Sequence, residues 1–255
     1  MTENLYKKTD NLSALITAQP QLLLTLSHFG IPMGFGDKTI AQVCAEHDVD
    51  PQFFLLICEV YSNDNYFPSA ATLRATPMEG LVPYLLRSHD YYLNRRLPHI
   101  GHHLEKIANM LPTRAGNAIK QFFNAYIEEV REHFAHEEKT VYPHISNLLA
   151  GESDNNFKIK DFLDSHGNLE DKLSDLVQII FKYLPGSSNS GGTHTPPASP
   201  SIIEGELDTS SHADDDAIDM IFDILQLSHD LRKHAIIEDK ILGPYVKQLE
   251  KTTKP

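Results

Sequence analysis

Glu129-Val130-Arg131-Glu132-His133-Phe134-Ala135-His136-Glu137-Glu138-Lys139-Thr140-Val141-Tyr142-Pro143 returns in outline 101 residues later, where Asp230, His234, Glu238, Asp239, Lys240 and Pro244 repeat its acid, His, Glu, acid, Lys and Pro at identical offsets. Agreement at these six positions marks a duplicated functional unit. Four residues advance a helix by about 400°, so the acid, His and Glu of each copy share one stripe. A charged Glu on a core-facing stripe is costly unless a cation pairs with it. Two such stripes on alternate helices of a bundle would bring two Glu and two His together.

Outward from the repeat, the chain holds 14 His, 12 of them from His89 onward. Residues 78–184 read as three long helices, separated at Pro112–Thr113 and at 151–156 and closed by Leu184-Pro185-Gly186. From Pro185 to Pro200, 13 of 16 residues are Pro, Gly, Ser or Thr, a composition that cannot bury a core. Asp214-Asp215-Asp216 then opens a fourth helix running to about Leu249, with negative charge where the macrodipole favours it. His89 lies about eleven residues into the first helix, His166 about ten into the third, and His133 and His234 about twenty into theirs. In an up-down-up-down bundle at ~1.5 Å per residue, all four fall near one level.

Upstream, Leu12–Phe29, Thr39–His47 and Pro51–Tyr61 carry helical apolar spacing, and Asn63–Thr76 reads as a polar connection without periodicity. Nothing alternates with period two. The expectation is an all-α protein: a small helical N-terminal domain over 1–75, then an up-down-up-down four-helix bundle over 78–250, with a Pro/Gly/Ser/Thr-rich insertion at about 185–213.

Four His and two Glu suit a pair of borderline cations, each carboxylate bridging both and each ion taking two imidazoles. Imidazole favours Fe, Zn, Cu or Ni over Ca or Mg. Six ligands on two ions leave positions for an oxo or hydroxo bridge and one small ligand.

Composition excludes several classes. The 255 residues are 41% hydrophobic and 22% charged, which is globular composition. A net charge of −13 argues against non-specific binding to nucleic acid or an anionic membrane. Cys44 and Cys58 cannot build a disulfide framework and read as reduced thiols of a cytoplasmic protein. No run reaches the ~18 apolar residues of a membrane span, and the N-terminus has no signal-peptide pattern. No nucleophile triad, phosphate loop or dinucleotide fingerprint is present, since Gly34-x-Gly36 lacks a flanking strand and a third Gly. Enzymatic activity is left open, at most di-iron redox chemistry.

At His89-Asp90, His133-x-x-x-Glu137-Glu138, Ser165-His166 and His234-x-x-x-Glu238 the chain resembles the hemerythrin-like (HHE cation-binding) superfamily, and more closely the repair-of-iron-centres di-iron proteins, in which a helical domain precedes the bundle. The resemblance implies a non-haem centre of two Fe ions with His89, His133, His166 and His234 terminal and Glu137 and Glu238 bridging. It places Glu129 near the site entrance, in access or proton handling. It implies a role in iron–sulfur cluster repair or the response to nitrosative and oxidative stress, with NO or O2 as small ligand and iron–sulfur proteins as clients. One departure stands out: Gly34 and Phe35 occupy the place of the family's paired cysteines. That favours an alternative, an O2- or NO-binding or sensing protein without repair activity.

Other residues have ordinary readings. His99, His102 and His103 read as a solvated cluster, and His136 and His229 as lying off the ligand stripe. Cys44 reads as core. Asp230, like Glu129, sits one turn before a ligand His and is either an ordinary helix carboxylate or an acceptor for the imidazole N–H. Thr39–Asp50 has the outline of a helix-turn-helix start. Residues 1–75 carry four Lys/Arg against eight Asp/Glu, however, the wrong sign for a metal-responsive DNA-binding regulator.

Overall fold

The computed structural model describes residues 6–152, 157–165, 169–183 and 209–252. His166 and the Pro185–Pro200 insertion lie outside them. Among the described residues the fold is all-α, and the only extended pairing is one antiparallel bridge between Asn11 and Thr39.

Five short helices come first: α1 (Leu12–Ala18), α2 (Leu23–Phe29), α3 (Ile40–Glu46), α4 (Pro51–Ser62) and α5 (Ala70–Ala75). Their ends follow local chemistry. Asn11, Thr39, Asp50 and Ser69 each cap a first turn by accepting a backbone N–H, and Thr39 forms a reciprocal capping box with Gln42. Pro20 breaks the Leu12–Phe29 periodicity into two helices joined by a 3-10 turn. α2 stops at Gly30, whose φ of 73° is the left-handed conformation a C-terminal glycine tolerates. α5 corrects the expected connection over 63–76. Ser69 accepts from the Thr72 N–H, and Leu73 alone anchors the short helix by burial. One apolar residue leaves no periodicity to detect.

The bundle follows. α6 (Leu81–Tyr91) and α7 (Leu97–Met110) make its first helix, α8 (Thr113–His136) and α9 (Tyr142–Leu149) its second, α10 (Ile159–Ser165) and α11 (Leu169–Tyr183) its third, and α12 (Thr209–Ile237) and α13 (Gly243–Thr252) its fourth. α7 packs on α8 and α12, and α11 packs on α8 and α12, closing a four-membered ring.

Helices one, two and four each carry a π-helical turn, at Tyr92–Arg96, Glu137–Val141 and Glu238–Leu242. Each turn is followed by one residue and then a proline: Pro98, Pro143 and Pro244. Proline has no N–H to give and its ring clashes with the carbonyl four residues back, so a widened turn lets the helix continue through it. The backbone N–H groups of Leu97, Tyr142 and Gly243 accordingly reach back five residues, to the carbonyls of Tyr92, Glu137 and Glu238.

Among the described residues, two apolar clusters form the core. One runs through the upper bundle, including Ile100, Phe123, Phe134, Leu176, Ile224 and Leu231. The other joins α1–α4 to the lower bundle, so that Phe29, Phe54 and Ile57 share a core with Leu85, Tyr142, Ile237 and Ile241. The buried polar residues His89, Glu137 and His234 fall in sequence between the residues of the two clusters on three separate helices, and Glu238 follows His234 by one turn. None of the helices in the described residues is long and apolar enough to cross a membrane.

Candidate metal centre

His89 comes from the end of α6, and Glu137 and Glu238 open the π turns after α8 and α12. His234 sits one turn before Glu238. These four residues each offer one ligand atom, and the four atoms lie within 4.8 Å of one another. Both carboxylates have no exposed surface, and the two imidazoles are all but sealed. His89 Nε2 stands 3.0 Å from Glu137 Oε2 and 3.4 Å from His234 Nε2. His234 Nε2 stands 3.5 Å from Glu238 Oε1. His133, one turn before Glu137 and partly exposed, places its Nε2 2.7 Å from Glu137 Oε1.

The outer nitrogens of the two buried imidazoles are spent elsewhere. Ser88 Oγ donates to the Leu85 carbonyl at 2.6 Å and so accepts from His234 Nδ1 at 3.0 Å. His89 Nδ1 donates to Glu138 Oε1 at 3.0 Å. Each Nε2 is thereby left with its lone pair turned toward the carboxylates, the arrangement in which a partner on one ring nitrogen orients the other toward a cation. Without a cation, a proton serves. Burial pulls the His89 imidazole down, but the bond and charge of Glu137, with Glu138 and Glu238, outweigh it and leave His89 above its ordinary value.

This donor set fits metal. Two fully buried carboxylates facing two imidazole lone pairs are costly unless positive charge lies between them. Imidazole with carboxylate suits iron, zinc or copper rather than calcium. Among the described residues, no other group of three or more His, Cys, Asp or Glu converges in this way.

Residues 83–190 match the family described as Hemerythrin HHE cation binding domain.

That match supports a hemerythrin-like, metal-binding bundle. It spans helices one to three and stops short of α12 and α13, so the second copy of the repeat, with His234 and Glu238, joins the hemerythrin-like part through tertiary packing. A search of curated proteins found no match.

Several residues sit elsewhere than next to this group. Glu129 is half exposed and ion-paired with Lys172 across α8 and α11. Asp230 is buried but does not meet His234. Its Oδ1 accepts from Tyr61 and Gln226, and Ser88 takes the place beside the imidazole. His99 pairs with Asp223 at 3.1 Å and lies against His103 with the two rings tilted by 53°. Cys44 and Cys58 are both buried, and burial, with Asp50 nearby, pushes the Cys44 thiol up to about 12.

Three contributors escaped the sequence reading. Tyr142 Oη lies 3.2 Å from His89 Nε2 and 3.4 Å from Glu137 Oε2. In a regular α-helix the residue five after Glu137 points about 140° away from it, and only the π turn brings Tyr142 back. Phe134 stacks on the His89 ring at 3.9 Å between centroids. His28, from α2, is buried against the rings of Tyr84, Tyr91 and Tyr92. Tyr92 in turn meets His234 edge-on, so α2 backs, through His28, the ring that walls one side of the centre.

Proposed function

We propose that this protein holds two non-haem iron ions and uses them in the response to nitrosative or oxidative stress, including iron–sulfur cluster repair. The observation that carries the reading is the sealed convergence of His89, from the first bundle helix, with Glu137, His234 and Glu238 from the two copies of one repeat. His133 would add a terminal ligand beside Glu137, and His166, by its sequence position, would add another. Iron at such a site supplies redox chemistry and open positions for NO or O2. The protein's own residues do the rest. Glu137 and Glu238 balance the cationic charge. Ser88 and Glu138 fix the imidazole tautomers. The aromatic and aliphatic wall keeps bulk water out. Iron–sulfur proteins are the clients this reading implies, and the cytoplasm its setting.

A second reading, binding or sensing of NO or O2 without repair, is favoured by the thiols. Gly34 and Phe35 stand where repair proteins of this type carry cysteines, and the two cysteines present are buried. Metal analysis of anaerobically purified protein should find about two irons per chain, and the reduced protein should change its visible spectrum with NO or O2. One iron or fewer after reconstitution would overturn the dinuclear reading. Restoration of a protein whose iron–sulfur cluster has been damaged by NO separates repair from binding.

A further inference from the structure

The two copies of the repeat differ at one place that bears on chemistry. Five residues after Glu137 stands Tyr142, and five residues after Glu238 stands Gly243. Both close a π turn, and both return their backbone N–H to the carbonyl of the preceding Glu. The Tyr142 side chain is buried and its hydroxyl reaches His89 Nε2 and Glu137 Oε2. Gly243 brings no side chain. A Cβ built there would lie 2.5 Å from Leu163 Cδ1, so hydrocarbon from α10 occupies that space. The site is therefore pseudo-symmetric in its carboxylates and imidazoles and asymmetric in its hydroxyl.

We propose that Tyr142 is the hydrogen-bond donor to a diatomic ligand, and that it selects the metal position served by His89 as the one that takes the ligand. A phenol has one proton to donate. In the structure the hydroxyl lies between His89 Nε2 and Glu137 Oε2; it donates to Glu137, and His89 Nε2 is an acceptor only while it carries no proton. A cation on the Nε2 lone pair removes His89 as an acceptor. The proton then goes to Glu137 or to an electronegative atom held at that ion. The Gly243 side has hydrocarbon where a second phenol would stand, and a ligand there gains no such bond from the equivalent position. This inference rests on the proposed iron and gas-binding reading.

The test uses the full chain, iron-loaded and reduced, as wild type and Tyr142→Phe, with NO as the probe. Expected are equal iron content, one NO per pair of irons, and an N–O stretch that shifts in heavy water for wild type only. NO release should be about fivefold faster in Tyr142→Phe, the scale of one ordinary hydrogen bond. Equal stretch and equal release in the two proteins would overturn this inference alone, as would two equivalent NO per pair. A wild type that loads iron but takes up neither NO nor O2 would overturn the gas-binding reading as well. Should Tyr142→Phe fail to load iron, the metal-free proteins decide. Removal of the hydroxyl should move the His89 Nε2 resonance, and an unmoved resonance overturns the proposal.

Discussion

Tyr61 and Asp230, 169 positions apart in the chain, form a buried hydrogen bond in which the phenol donates to Oδ1 at 3.1 Å. Gln226 donates to the same oxygen at 2.9 Å, and Tyr92 donates to the Asp230 backbone carbonyl at 3.2 Å. The two tyrosine bonds pin α12 to α4 and to the π turn after α6, one turn before His234. They tie the N-terminal helices to the helix that carries half of the candidate centre.

Burial holds the Asp230 carboxyl up at about 6, against the opposing pull of Gln226, Tyr61 and Arg96. With the folded value raised above the ordinary one, the protonated form is favoured in the fold, and stability is lost as pH rises through about 6. Asp230→Asn keeps an oxygen acceptor for both donors and removes the charge. The variant should exceed wild type at pH 8 by about 3 kcal/mol, since each tenfold change in proton affinity is worth ~1.4 kcal/mol, and match it at about pH 3. Denaturant unfolding at the two pH values checks this.

His28 shows the opposite sign. Burial, then the charges of His234 and His89, holds its imidazole down at about 3. It is neutral in the fold, whereas the unfolded chain takes up a proton below pH 6.5. Its contribution is complete above that value and is lost as pH falls toward 3. Between pH 7 and pH 5 wild type should lose about 2 kcal/mol more stability than His28→Phe. Parallel slopes in thermal unfolding across that range would refute the assignment.

Glu137→Ala and Glu238→Ala should each cost more iron than His89→Ala. In the proposed dinuclear centre a carboxylate would face and neutralise both ions, whereas a terminal imidazole would serve one. Removing the metal from wild type should also lower its melting temperature, because the metal-free fold keeps two sealed carboxylates without their cations. Metal analysis and calorimetry on the same preparations check both statements.

Gly116→Ala should destabilise the protein without touching the centre. A Cβ at Gly116 would lie 2.1 Å from the Ala108 carbonyl oxygen, a backbone atom that cannot yield unless α7 and α8 part. The cost should be about 1–3 kcal/mol. Gly116 is some twenty residues from Glu137 along the helix, roughly 30 Å at 1.5 Å per residue, so iron per folded molecule should be unchanged.

By itself the sequence determined the all-α class, the long helices of the bundle and the stripes that carry His and Glu together. Each of these is a matter of period. Four-residue spacing sets His133 beside Glu137 and His234 beside Glu238 whatever else the chain does, and the matching offsets of Pro143 and Pro244 revealed the duplication. The tertiary structure alone decided what surrounds those stripes. The π turns change the phase of three helices, so Tyr142 faces the site from a position that a regular helix would turn away. Ser88 rather than Asp230 holds His234, because α6 delivers a hydroxyl at the imidazole while Tyr61 of α4 occupies the carboxylate. Glu129 turns to Lys172 on the neighbouring helix, and His28 is buried by rings from α6 and the π turn after it. These partners lie tens to hundreds of residues apart. No local spacing encodes which of them meet, because close packing of one helix on another settles it.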